Sequence, residues 1–325
     1  MSFLRPILMA AIVLGACLLS NRYSEHHAGS NDKAFESLYM HLMPALLVHP
    51  AASAEHGDEH AEEPHGTVHP LLLVPLPAFM GLFDYDQDPR TGTHLALYNL
   101  QIFQLAAVLL VLIAFSGVSQ HMKRGGGDAL TRFFAGGCLY IRDEMIRPNM
   151  KREHADKLLP LFYSLFFFIL FMNLMGLVPG AATPTACIFV TAALAVITLG
   201  MMILGGMFVQ GPIAFWKNLV PHVPLWLWPL LFVVELIGVT VKPFALTIRL
   251  FANMTGGHMV VLSFMGLIFY FAGTQLSSMG YAIAPVAIGF AVFIMIIEAF
   301  VAFVQAYVFT ILSAIFVGAS LHPEH

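Results

Sequence analysis

The sequence predicts an all-α, multi-pass membrane protein of about five transmembrane helices, preceded by an N-terminal signal or anchor segment. Three observations carry this reading. Of 325 residues, 58% are hydrophobic and only 10% charged, where a soluble domain carries about 25% charged. The stretch 158–323 holds five charges, Lys217, Glu235, Lys242, Arg249 and Glu298, too few to clothe a water-facing surface. Its apolar runs are long enough to cross a hydrocarbon core about 30 Å thick. The composition also excludes other classes. A net charge of -4 with pI near 6.4 offers no basic footprint for nucleic acid. Cys17, Cys138 and Cys187 are far apart and lack CxxC spacing, which indicates neither a disulfide scaffold nor a zinc site.

Residues 1–20 place Arg5 ahead of an apolar stretch from Ile7 to Leu19, the pattern of a signal peptide or an uncleaved anchor. Leu14-Gly15-Ala16-Cys17 fits a lipoprotein-type cleavage site and Ala52-Ser53-Ala54 an ordinary one. Residues 21–94 form a polar, exported N-terminal region. Eight histidines lie between Asn21 and Pro70 and five acids between Glu55 and Glu63, a solvated tail whose irregular spacing defines no metal site. Leu71 to Phe83, broken by Pro75 and Pro77, is too short to cross and is expected to lie against the membrane surface.

The membrane domain occupies 95–325, and its first span is Leu100 to Val118. The loop 120–157 then gathers eight of the fifteen Lys and Arg residues, so the positive-inside rule places it in the cytoplasm. Within it Leu130, Phe133, Phe134, Cys138, Ile141 and Met145 recur at helical spacing, which predicts an amphipathic interfacial helix. Leu158 to Val178 and Ala186 to Phe208 each suffice for one crossing. The apolar stretch from Leu230 to Ala272 would be about 65 Å long as one helix, so either Thr255-Gly256-Gly257 breaks it or the helix is strongly tilted. Ala282 to Leu321 poses the same choice, with residues 273–280 as the turn between. Counting from the basic loop puts the N-terminal region outside, that turn outside and the C-terminus in the cytoplasm, as expected of a multi-pass protein in a plasma (inner) membrane.

An arginine at the centre of an apolar helix costs about 2.5 to 3.5 kcal/mol on insertion scales, so Arg249 needs a purpose. At about 100° per residue, Asn253 lies about 40° around from it, and Lys242 and Glu235 fall within about 40° on the same side. A polar stripe thus runs down the helix. A permanent ion pair with Glu235 or Glu298 would be the purely structural explanation. His258 points about 180° away from Arg249. Glu298 and Gln305, seven apart, share a face of the last helix. An imidazole and a buried carboxylate make a pair able to exchange protons near neutrality, although a histidine satisfied by a backbone carbonyl is the commoner case.

Arg249-Leu250-Phe251-Ala252-Asn253-Met254, Glu235 fourteen residues earlier and Gln305-Ala306-Tyr307-Val308-Phe309 resemble the subunit a family of F-type ATP synthases. Asn173-Leu174-Met175-Gly176-Leu177-Val178-Pro179-Gly180, Pro184-Thr185-Ala186 and Ile141 to Asn149 resemble that family's second and third spans and cytoplasmic helix. The resemblance runs from about residue 95 to 320. It implies a non-catalytic stator of the membrane (FO) sector, which carries protons for ATP synthesis through two offset half-channels beside a rotating ring of c subunits. It also implies two long, strongly tilted C-terminal helices forming a hairpin. A subunit b peripheral stalk and the remaining synthase subunits would be its partners, with membrane lipid around it and no cofactor. Arg249 matches the essential arginine, Asn253 and Gln305 the polar pair beside it, and Glu235, His258 and Glu298 channel-lining positions. Some members carry the last histidine and acid in the opposite order, and many carry an acid where this chain has Cys187. Two other classes fit worse. A secondary transporter predicts inverted repeats with paired broken helices, which the sequence lacks. A haem enzyme needs axial histidines on adjacent spans, but His258 is the only histidine well inside one.

Overall fold

The computed structural model describes residues 4–23, 73–75, 94–96, 99–118, 121, 128–178, 181, 183–220, 224, 226–273 and 277–321. The histidine and acid run of the N-terminal region, the Ala52-Ser53-Ala54 site and most of the segment 71–83 lie outside them. Eight α-helices make the described fold: α1 Leu4–Tyr23, α2 Asn99–Phe115, α3 Ala129–Tyr140, α4 Arg152–Gly176, α5 Ile188–Gln210, α6 Pro212–Asn218, α7 Trp228–Gly273 and α8 Ser277–Leu321. Four of them, α4, α5, α7 and α8, are long and apolar enough to cross a membrane, and α1 and α2 are shorter apolar helices. Ahead of the membrane domain, Leu73–Pro75 (β1) and His94–Ala96 (β2) pair as a short antiparallel ribbon, Leu73 opposite Ala96.

The choice posed by the long stretches is resolved in favour of continuity. α7 runs 46 residues through Thr255-Gly256-Gly257 without a break, and α8 runs 45. At about 1.5 Å per residue each is roughly 70 Å long, more than twice the hydrocarbon thickness, so neither stands upright in a bilayer. Pro243 and Pro285 lie inside these helices, each removing one backbone donor from the i−4 carbonyl without ending the helix. The Thr247 hydroxyl donates to the Pro243 carbonyl at 3.1 Å. α7 and α8 pack along each other, α5 packs against both, and α4 packs against α8.

The amphipathic helix predicted from Leu130 to Met145 forms as an α-helix over Ala129–Tyr140, then widens to a π turn at Ile141–Ile146 and tightens to a 3₁₀ turn at Arg147–Asn149. Pro148 explains the ending, since it cannot donate to an i-4 carbonyl. Its apolar face meets α2 and α4: the Phe134 ring stands 5.5 Å from Phe167, and Phe167 lies 5.0 Å edge-on to Phe115. The opposite face is charged, with Asp143 accepting from Arg142 at 2.9 Å and from Arg147 at 3.2 Å. That guanidinium contact holds the Asp143 carboxyl below the usual carboxylate range. Its contribution to folding is therefore present above the ordinary carboxylate pKa and lost as pH falls through the lowered one.

α1 packs against α2, and Arg5 donates from Nη1 to Thr131 Oγ1 at 2.8 Å. A side chain on Gly117 would collide with the Arg5 guanidinium. The start of α1 and the end of α2 therefore sit on the same side as the basic loop.

Candidate functional site

α7 has two unlike faces. Leu246, Leu250 and Met254, four residues apart, are fully buried against the neighbouring helices. Ala245, Arg249, Ala252, Asn253 and Gly256 are exposed on the other side. Spacing of about 100° per residue produces this division. Small residues flank the arginine, leaving its approach unobstructed.

Arg249 makes no ion pair or hydrogen bond to any described residue. The structural alternative, a permanent pair with Glu235 or Glu298, is thus not formed. One turn on, Asn253 Nδ2 donates to Gln305 Oε1 at 2.8 Å, joining α7 to α8. Gln305 is buried and its Nε2 has no partner. Towards the start of α7, Lys242 Nζ lies 5.6 Å from the centroid of the Phe316 ring on α8, and Glu235 is half-buried with no ion pair.

His258 and Glu298 meet on the opposite face of α7, with Nδ1 3.3 Å from Oε1. The contact is close in distance but misaligned for a hydrogen bond, so both oxygens of this buried carboxylate lack a donor. Gly257 makes room for it: a Cβ there would stand 2.7 Å from Glu298 Oε1. A dry carboxylate without donors is costly, which marks this as a place for water or a transferable proton.

The six sequence-predicted residues thus fall into three sets at different heights. At about 1.5 Å per residue, His258 is about 13 Å from Arg249 along α7 and Glu235 about 21 Å in the other direction. Sequence reasoning singled out no functional role for Asn173 or Thr183. Asn173 Nδ2 donates to the Ala302 carbonyl at 3.3 Å and leaves Oδ1 without a partner. Thr183 Oγ1 lies 2.6 Å from His258 Nε2. Thr183 stands on an irregular segment between two spans, where helical periodicity gives no signal.

The model of the family described as the ATP synthase A chain matches residues 101–318. This chain belongs to that family. Relatives named ATP synthase subunit a agree. The Myxococcus xanthus protein is 40% identical over 225 residues, covering 68% of this chain and 71% of its own length. The Chloroherpeton thalassium protein is 36% identical over 312 residues, covering 87% and 91%. A relative from Chlorobium luteolum named ATP synthase subunit a 2 is 31% identical across 98% of this chain. The subunit a match takes in Arg249, Asn253, Gln305, Glu235, His258 and Glu298. The family model leaves out α1, the β-ribbon and the histidine and acid run. With four long apolar helices, this member of the subunit a family is an integral membrane protein.

Proposed function

We propose that the chain is the non-catalytic stator subunit of the membrane sector of a rotary F-type ATP synthase. It carries protons to and from the carboxylates of a c-subunit ring through two offset half-channels, with Arg249 as the gate between them. One observation carries this reading: Arg249 is an exposed cation in the middle of a long apolar helix, and no carboxylate among the described residues pairs with it. In lipid such a cation needs a counter-charge. A ring carboxylate arriving on that face would supply it.

The electrostatics suit the task. A ring acid is neutral while it crosses lipid and must lose its proton at the stator. Two unit charges about 4 Å apart attract by about 4 kcal/mol at an effective dielectric near 20, equivalent to roughly three pKa units. Guanidinium remains charged under desolvation, so it also stops protons from passing directly between half-channels. Asn253 and Gln305 hold the hairpin together beside it. His258 with Glu298 serves the outer half-channel and Glu235 the inner one, with Lys242 nearer an aqueous mouth.

The basic loop and the Arg5 contact with Thr131 support a cytoplasmic loop, an outside N-terminal region and a cytoplasmic C-terminus. The exposed apolar face of α7 and α8, including Phe244, Ile296 and Phe300, suits the ring. The peripheral stalk and lipid would cover the others. Affinity purification through a tag on the C-terminus, in mild detergent, tests the assignment. A c-ring and peripheral-stalk subunits copurify if it holds; a chain recovered alone or with unrelated transport components would overturn it.

A further inference from the structure

We propose that Thr183 is a positioning residue of the outer proton path, whose hydroxyl aims the His258 imidazole at Glu298 and links the pair to the outer side. The inference rests on the stator reading above. Three elements converge here: the segment before the 3₁₀ turn Pro184–Ala186, α7 and α8. Thr183 Oγ1 is 2.6 Å from His258 Nε2, and the other ring nitrogen, Nδ1, is 3.3 Å from Glu298 Oε1. The hydroxyl therefore holds the imidazole at Nε2, and that contact determines which nitrogen faces the acid.

Thr183 is itself fixed in place. It is buried, and its carbonyl accepts from the Ala186 N–H at 3.0 Å. Its methyl occupies the space left by Gly176, where a Cβ would stand 2.6 Å from Thr183 Cγ2. The Gly176 carbonyl lies 3.4 Å from the hydroxyl and offers it a second acceptor. Threonine suits the position because a hydroxyl both donates and accepts. Valine fills the same volume and does neither.

These heavy atoms accommodate two arrangements that differ by one proton. In the first, Glu298 is ionised and faces Nδ1–H, while the hydroxyl donates to Nε2. In the second, Glu298 is protonated and faces a bare Nδ1, Nε2–H donates to Thr183 Oγ1, and the hydroxyl donates to the Gly176 carbonyl. A proton delivered by channel water to Thr183 Oγ1 converts the first into the second. The hydroxyl proton moves to Nε2 and the Nδ1 proton moves to Glu298 Oε1. Three bonds to hydrogen break and three form, and the carboxylate loses its charge. After Glu298 passes its proton on, channel water gives one proton to Nδ1 and takes one from Nε2 by way of the Thr183 hydroxyl, which restores the first arrangement with no net change in protons. Thr183 lies on the α4–α5 connection, on the side opposite the basic loop in the proposed topology.

The test is ATP-driven proton pumping by the intact complex in membrane vesicles carrying Thr183→Val, Thr183→Ser or, in parallel, Arg249→Ala. With the ring still copurifying, Thr183→Val lowers pumping about fivefold to tenfold, the worth of one hydrogen bond, while Thr183→Ser stays within about twofold of the parent. Parental pumping by the valine variant overturns the proposal. So does a serine variant as impaired as the valine one, since that would make the methyl the working part. If valine prevents assembly, Thr183→Ala replaces it under the same criterion. Loss of pumping in Arg249→Ala with normal pumping in Thr183→Val rejects the Thr183 role alone. Normal pumping in Arg249→Ala rejects the stator reading itself.

Discussion

Replacing Arg249 by lysine abolishes ATP-driven proton pumping in membrane vesicles while the complex remains assembled. The side chain is exposed and touches no described partner, so its loss leaves the packed face of Leu246, Leu250 and Met254 intact. Its contribution belongs to the encounter with the ring acid. An attraction of about 4 kcal/mol corresponds to roughly a thousandfold change in the proton equilibrium of that acid. Lysine keeps the charge in water but discharges readily when desolvated, so it would release the ring acid and open a route between half-channels. Pumping is read as acidification of inverted vesicles on adding ATP, with copurification of the ring as the assembly control. Normal acidification in Arg249→Lys would remove Arg249 from the gate.

The second large effect concerns His258 and Glu298. Changing either alone, His258→Glu or Glu298→His, leaves two acids or two imidazoles side by side and disrupts the exchange pair. Each single variant loses most of its pumping. Making both changes restores the imidazole and carboxylate with their helices exchanged, and because the two groups stand 3.3 Å apart, it should recover part of the loss. The interaction energy of such a cycle isolates the coupling, since residues in contact deviate from additivity by about 0.5 to 3 kcal/mol. A double variant no better than the worse single one would show that the pair does not work as a unit.

Much of the fold was legible because membrane sequences state their constraints openly. Apolar runs of bilayer length predicted the spans, and helix periodicity from Leu130 to Met145 predicted the amphipathic helix, whose α part covers Ala129–Tyr140. The same periodicity separated the Arg249 face of α7 from the His258 face. Other features rest on information a helical wheel does not contain. Whether Thr255-Gly256-Gly257 breaks α7 depends on packing against α5 and α8, which here holds the helix continuous. The β-ribbon depends on pairing between segments about twenty residues apart. In the site, the Asn253–Gln305 contact was implied by the family resemblance alone, and the His258–Glu298 contact was suggested by complementary chemistry. Thr183 could not be found this way, because its role comes from an irregular segment folding back onto α7. The unpaired state of Arg249 was equally hidden: sequence alone allowed a permanent ion pair, and only the positions of Glu235 and Glu298 show that none forms.

The central claim is that the exposed face of α7 around Arg249 lies against a ring carboxylate. Disulfide cross-linking in native membranes tests it most directly. Ala252→Cys, three residues from Arg249 on the exposed face, is paired with a cysteine one helical turn from the carboxylate on the ring subunit. Val196→Cys on the exposed face of α5 serves as the control. The account predicts oxidant-dependent cross-linking to the ring from position 252 and none from position 196. Cross-linking from 196 without any from 252 would contradict it.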